Sequence, residues 1–110
     1  MKFIMFWEYS REDTDKVLLK FQKFHEDIKK NPEKHVKPIT PAYHLGEPSE
    51  TGMMKGLTIY ESDNEDKLID YVASYYPEMR IKIVPLMDSA KTAEAYLKMK
   101  SSNLHRQSAR

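Results

Sequence analysis

The pattern of apolar and polar positions divides the chain into short strands and helices. Lys2–Tyr9 is rich in aromatic and apolar residues and is followed by a polar cluster, which predicts a strand. Its apolar side chains lie on both faces: Phe3, Met5 and Trp7 on one, Ile4 and Phe6 on the other. A strand that is apolar on both faces needs a covering layer on each side of its sheet.

Helical spacing predicts three helices. The first has an apolar stripe formed by Val17, Phe21, Phe24 and Ile28. It should end before Asn31-Pro32, because proline disfavours helix at the residue ahead of it. Ser62 and Glu65 have the spacing of a capping box, which predicts a second helix with Ser62 as its N-cap. A third helix is predicted from about Ser89.

Three further strands are predicted between these helices. Proline interrupts the segment Val36–Glu47, so this strand should lie at a sheet edge or carry a bulge. A turn over residues 48–52 should join it as a hairpin to a strand over Met53–Glu61. The last strand contains Ile81, Ile83 and Val84 and is closed by Pro85.

The resulting order predicts one α+β domain over residues 1–100, of the ferredoxin-like βαββαβ type with a C-terminal helix. Residues 101–110 are polar and are expected to form a flexible tail. In this fold the first two helices cover one face of an antiparallel sheet. Because the first strand is apolar on both faces, we expect a second copy of the chain to cover the other face, in a homodimer with facing sheets.

Composition narrows the function classes. Lys and Arg number 18 against 17 Asp and Glu, so no strong field favours nucleic acid or an anionic membrane. The chain has no cysteine, which excludes disulfides, thiolate catalysis and iron–sulfur clusters. No apolar stretch is long enough to span a bilayer, and the apolar start lacks a signal-peptide cleavage site, so we expect a cytoplasmic protein.

Histidine spacing gives no support to a metal site. His25, His35, His44 and His105 show no short ligand spacing such as i, i+4. We therefore expect neither a metal nor a cofactor.

The alternation of residues in the strands suggests a binding site between the two sheets. If Leu57, Ile59, Ile81 and Ile83 pack against the helices, the alternate residues face the inside of the dimer. The polar ligand-binding candidates on that face are Glu8, Tyr60, Arg80 and Lys82. Apolar walls with a few convergent polar groups are the usual form of a small-molecule site. The alternative is that Glu8, Arg80 and Lys82 pair across the interface and bind nothing.

His44 is the candidate for a catalytic base. A histidine with a pKa near neutrality could deprotonate a phenolic or enolic substrate. The alternative is a surface histidine on an edge strand.

Three stretches carry a resemblance to a known family: Met1–Trp7, Gly56–Asp63 and Ile83–Asp88. Over most of positions 1–100 the chain resembles an uncharacterised family of short bacterial and archaeal proteins, a domain of unknown function in the dimeric α/β barrel superfamily. The resemblance implies two subunits packed sheet on sheet around a cavity. It implies no single chemistry, because that architecture includes cofactor-independent monooxygenases, isomerases, haem-binding enzymes and ligand-binding domains of regulators.

Two functions remain open at this point. One is a homodimer that binds a small molecule between its sheets without catalysis. The other is a cofactor-independent monooxygenase or isomerase that acts on a small aromatic or enolic metabolite, which requires Tyr60 and Lys82 to line one cavity.

Overall fold

The computed structural model describes residues 1–46 and 52–108, with side chains as far as residue 103. Its elements, in chain order, are β1 (Lys2–Ser10), α1 (Thr14–Lys30), β2 (Lys37–Pro38), β3 (Tyr43–His44), β4 (Met53–Glu61), α2 (Glu65–Tyr75), β5 (Met79–Pro85) and α3 (Ser89–Ser108). Most of the predicted turn, residues 48–51, lies outside the described residues.

The strands form one antiparallel sheet with β1 at its centre. β1 pairs with β4 over all nine of its residues and with β5 on its other side. The short strands β2 and β3 both pair with the outer side of β4. Together they take the place of the second strand of a ferredoxin-like fold, so the predicted α+β fold class is confirmed.

The outer edge of the sheet is interrupted where the prolines fall. Between β2 and β3, the backbone N–H groups of Ile39 and Thr40 both donate to the carbonyl oxygen of Ile59, at 2.8 and 3.3 Å. Two donors at one acceptor are the mark of a local bulge. Pro38 and Pro41 have no N–H to donate, so the regular ladder stops there. The predicted irregular edge strand is confirmed.

The two helices that follow strands, α1 and α2, pack on one face of the sheet. Met5, Trp7 and Tyr9 of β1 are buried against Val17 and Phe24 of α1 and against Tyr71 and Tyr75 of α2. Burying one such large side chain stabilises the fold by about 2 kcal/mol. This helix-side core is unusually aromatic, and it fixes which face of β1 points inward.

Helix α2 starts two residues later than its capping pattern predicts. The N-cap is Asn64, whose side-chain oxygen accepts from the Lys67 N–H at 2.9 Å. Ser62 does not cap the helix, and that prediction was wrong. The Ser62 N–H donates to the Met1 carbonyl oxygen at 3.0 Å, so Ser62 still belongs to the end of the sheet.

Helix α3 is the one element that stands apart from the sheet in the described part of the chain. Asp88 caps it, because Oδ1 accepts from the N–H groups of Ala90 and Lys91 at 2.9 and 3.2 Å. The helix continues through residues 101–108, where a tail was expected, since neither glycine nor proline interrupts it. Every side chain from Ser89 to Asn103 is exposed.

Gly56 leaves room for the Trp7 ring and the Tyr43 backbone to pack closely against β4. A Cβ at this position would overlap the Trp7 ring and the Tyr43 carbonyl oxygen. We therefore expect Gly56→Ala to lower the free energy of unfolding by about 3 kcal/mol, because overpacking forces the ring or the backbone to move. The matched control is Gly46→Ala, where a Cβ meets open space. Chemical denaturation of both variants is the measurement, and equal stabilities would contradict this account.

Candidate ligand site on the open sheet face

The sheet face opposite α1 and α2 is called the open face here. It is formed by alternate residues of the three long strands: Ile4, Phe6 and Glu8 of β1, Lys55, Leu57 and Ile59 of β4, and Arg80, Lys82 and Val84 of β5. None of these residues belongs to the helix-side core. The open face therefore presents its own surface chemistry.

The strand register arranges these nine side chains in three rows across the sheet. In the first row Ile4 lies between Ile59 and Val84, so the row is wholly apolar. In the second, Phe6 lies between Leu57 and Lys82. In the third, Glu8 lies between Lys55 and Arg80, so all three residues are charged. The face thus changes from hydrocarbon to charge along β1.

A depression of about 290 Å³ occupies the charged end of the open face. Its lining includes Phe6, Glu8, Lys55, Arg80 and Lys82. Three cationic side chains therefore surround one carboxylate. The closest Glu8–Arg80 contact, Oε1 to Nη1, is 3.9 Å, and the Arg80 side chain is 84% exposed. Such a loose and exposed pair contributes little stability and leaves the guanidinium available to another acceptor.

Three of the four predicted ligand-binding residues meet in this depression. Glu8, Arg80 and Lys82 lie on the open face, as the strand alternation required. Lys55 joins them and was not among the candidates. Its place follows from the pairing register, in which Lys55 lies directly opposite Glu8. A sequence without known strand partners does not supply that register.

Tyr60 lies on the opposite face of the sheet from its predicted position. It is 2% exposed and is buried beneath the helices. Thr58 shares this face, while Leu57 and Ile59 lie on the open face instead. The expectations that Tyr60 points away from the helices and that Leu57 and Ile59 pack against them were wrong.

The reason is that alternation along a strand separates two faces without saying which one the helices cover. The prediction placed the most apolar residues of β4, Leu57 and Ile59, against the helices. In the structure the helix side is aromatic, and Tyr60 and Tyr71 lie with ring centroids 4.8 Å apart. Tyr60 fits there because its ring packs among the other aromatic rings of this core.

His44 also lies on the helix side, at the sheet edge. It is opposite Gly56, and its ring meets the edge of the Trp7 ring with centroids 5.0 Å apart. His44 and Tyr60 line a second cavity of about 190 Å³ between the sheet and α1. Lys82 lies on the other face, so the residues that the enzyme hypothesis needed in one cavity are separated by the sheet.

Metal binding and membrane insertion find no support in the described residues. Among the described side chains, those of residues 1–46 and 52–103, no three acidic or histidine groups cluster as ligands for a metal ion. In the same part of the chain no helix is both long and apolar enough to cross a bilayer.

The fold and the open face define a small α+β protein with a ferredoxin-like antiparallel sheet. The chain belongs to the family described as Domain of unknown function (DUF3303), whose model matches residues 1–100. Comparison with curated proteins and with solved structures finds no significant match. The family membership confirms the predicted domain of unknown function and assigns no activity.

The buried tyrosines predict a loss of stability in alkali. Burial raises the pKa of Tyr75 above its ordinary value of 10.0, and a negative charge on Tyr60 would raise it further. The protonated hydroxyl therefore stabilises the fold fully below pH 10, and this stabilisation is lost as pH rises above 10, where the unfolded chain ionises first.

Tyr75→Phe removes one such group. Above pH 10 the free energy of unfolding of both chains falls as pH rises. We expect this fall to be shallower for Tyr75→Phe than for the wild type, by about 1.4 kcal/mol per pH unit. Urea denaturation at several alkaline pH values measures the slope. Identical slopes for Tyr75→Phe and the wild type would contradict the prediction.

Proposed function

We propose that this chain forms a homodimer through its open sheet faces and binds a small organic acid between them. The observation that carries the proposal is the grading of the open face from an apolar row to a row of charged residues. The resemblance to dimeric α/β barrel proteins agrees with it. A cytoplasmic location and the absence of a resident cofactor are parts of the same proposal.

Apolar side chains exposed on and beside the open face support the homodimer. Phe6 at the centre of the open face is 37% exposed, and Tyr43 at the neighbouring edge is 53% exposed. Contiguous apolar surface of this kind marks an interaction site. A second open face is a suitable cover, because a two-fold dimer brings the same face of both subunits together. The apolar row of each subunit then contacts part of the other subunit's open face.

The charge distribution favours an acidic ligand. Lys55, Arg80 and Lys82 outnumber Glu8 around the depression, which leaves a local net charge of +2. A guanidinium binds a carboxylate through two parallel hydrogen bonds, and a low dielectric strengthens them. Phe6 supplies an apolar wall next to these cations. A carboxylic acid with a compact apolar body matches both features.

The size of the depression agrees with a small ligand. Its 290 Å³ lie at the lower end of the range for ligand pockets. A facing sheet would enclose this volume and add the partner's equivalent wall. The site is therefore complete only in the dimer, which makes ligand binding dependent on self-association.

Phe6→Glu tests the interface. It places a carboxylate within the apolar centre of the proposed contact, where desolvation has no compensation. We expect the dimer dissociation constant to rise on the order of 100-fold. Sedimentation velocity over a concentration series measures it, with circular dichroism to confirm folding.

Leu19→Glu is the matched control, because Leu19 lies on α1 and is 52% exposed. This variant should associate as the wild type does. If Phe6→Glu also associates normally, the open face is not the interface.

The double variant Arg80→Gln/Lys82→Gln tests the ligand class. With benzoate as the probe, we expect saturable shifts of the amide signals of β1 and β5 in two-dimensional NMR. The double variant should weaken binding about tenfold, because two charge-assisted contacts are lost.

Two controls separate charge from shape in that experiment. Lys23→Gln, at an exposed lysine on α1, should leave the benzoate affinity unchanged. Benzyl alcohol, which lacks the carboxylate, should bind more weakly than benzoate. If the dimer binds neither compound at the open face, the charged row pairs only across the interface and the ligand proposal is wrong.

A further inference from the structure

Helix α3 extends away from the rest of the chain. The radius of gyration is 19.4 Å, against about 13 Å for a compact domain of this length. The chain exposes 8555 Å², about 2,000 Å² more than a compact protein of 13.0 kDa. This excess of exposed surface is about as large as the area that one subunit buries in an extensive dimer interface.

One side of α3 is apolar and has no cover. Ala90, Ala93 and Leu97 recur at helical spacing, and Tyr96 lies beside them. Tyr96 and Leu97 are each 62% exposed. In proteins most helical stability comes from tertiary packing of an amphipathic face, so we expect this apolar side of α3 to be packed.

An apolar groove of matching character lies along the outer side of α2. It has a volume of about 450 Å³ and runs from Glu65 to Tyr76, between the helix and β5. Ile69 and Tyr76 in its lining are 55% and 72% exposed. The groove thus offers the apolar surface that α3 lacks.

The charges of the two helices are complementary. Helix α2 carries three acidic residues and one lysine, Lys67, which pairs with Asp63 at 2.9 Å. Its net charge is therefore −2. Residues 89–103 of α3 contain three lysines and one glutamate, for a net charge of +2. Opposite net charges favour lateral packing of the two helices over packing of like with like.

The connection to β5 prevents α3 from returning to its own groove. The Leu86 N–H donates to the Lys2 carbonyl oxygen at 2.9 Å, which extends the sheet by one residue. Asp88 already caps α3. Met87 alone separates these two fixed points, which is too little chain to reverse direction around a helix about 10 Å wide.

We propose that α3 of each subunit packs into the α2–β5 groove of a second copy of this chain, so that two subunits exchange helices. The exchange rests on the homodimer proposed above and adds a second, reciprocal contact to it. Two-fold symmetry makes both contacts identical.

Cysteine cross-linking tests the exchange without background, because the chain has no cysteine. One tagged chain carries Ala73→Cys in the groove, and a second chain with a different tag carries Ala93→Cys on the apolar side of α3. After mixing and re-equilibration, a short bismaleimide should join the two tags. Ala95→Cys, on the opposite side of α3, replaces Ala93→Cys in the matched control and should give at least about tenfold less product.

Each outcome has one meaning. A cross-linked heterodimer with Ala93→Cys and little with Ala95→Cys supports the exchange. A dimer by sedimentation without that cross-link overturns the exchange and leaves the homodimer standing. Monomers at all concentrations overturn both. A further sample uses one chain that carries both Ala73→Cys and Ala93→Cys. If the cross-link in this sample forms only within single chains, α3 covers its own groove, and the exchange is overturned.

Leu97→Ala supplies a measurement that does not depend on cross-linking. It removes the largest aliphatic side chain of the apolar side, and we expect the dimer dissociation constant to rise about tenfold. Thr92→Ala, at an exposed position beside the stripe, should change it little. Equal dissociation constants for Leu97→Ala and the wild type would contradict the proposal.

Discussion

The two-sided apolar character of β1 is the constraint on which the rest of the structure depends. β1 is the central strand, paired along both of its edges. Met5, Trp7 and Tyr9 on one face hold α1 and α2 against the sheet. In the described part of the chain, no helix covers Ile4 and Phe6 on the other face. One strand therefore organises the helix-side core and leaves its second apolar face uncovered.

The two faces differ in chemistry as well as in cover. The helix side is built from tilted and edge-on aromatic rings, which suits a closed core. The open side is built from apolar residues that grade into a charged row, which suits the proposed interface and its polar ligand. This division explains why the cationic side chains and the tyrosine cluster, separated by one sheet, cannot act on the same molecule.

Much of the fold can be predicted from local sequence patterns, whereas the residues that lie on each face of the sheet cannot. The bounds of α1, β4 and β5 are near those predicted, because proline and changes of period mark them. The assignment of Tyr60 failed because hydrophobicity ranks leucine and isoleucine above tyrosine, while the helix side of this sheet is packed with tilted aromatic rings. The cap of α2 was misassigned for a related reason, since the tertiary bond from Ser62 to Met1 outweighs the local capping pattern. Lys55 escaped notice because only the register brings it to Glu8.

In the proposed homodimer a second copy of the chain covers the open face of β1. Sedimentation equilibrium of the wild-type protein at micromolar concentration tests this cover most directly. A homodimer gives a particle of twice the 13.0 kDa subunit mass, which dissociates only on dilution. A particle of one subunit mass over the whole concentration range would contradict it.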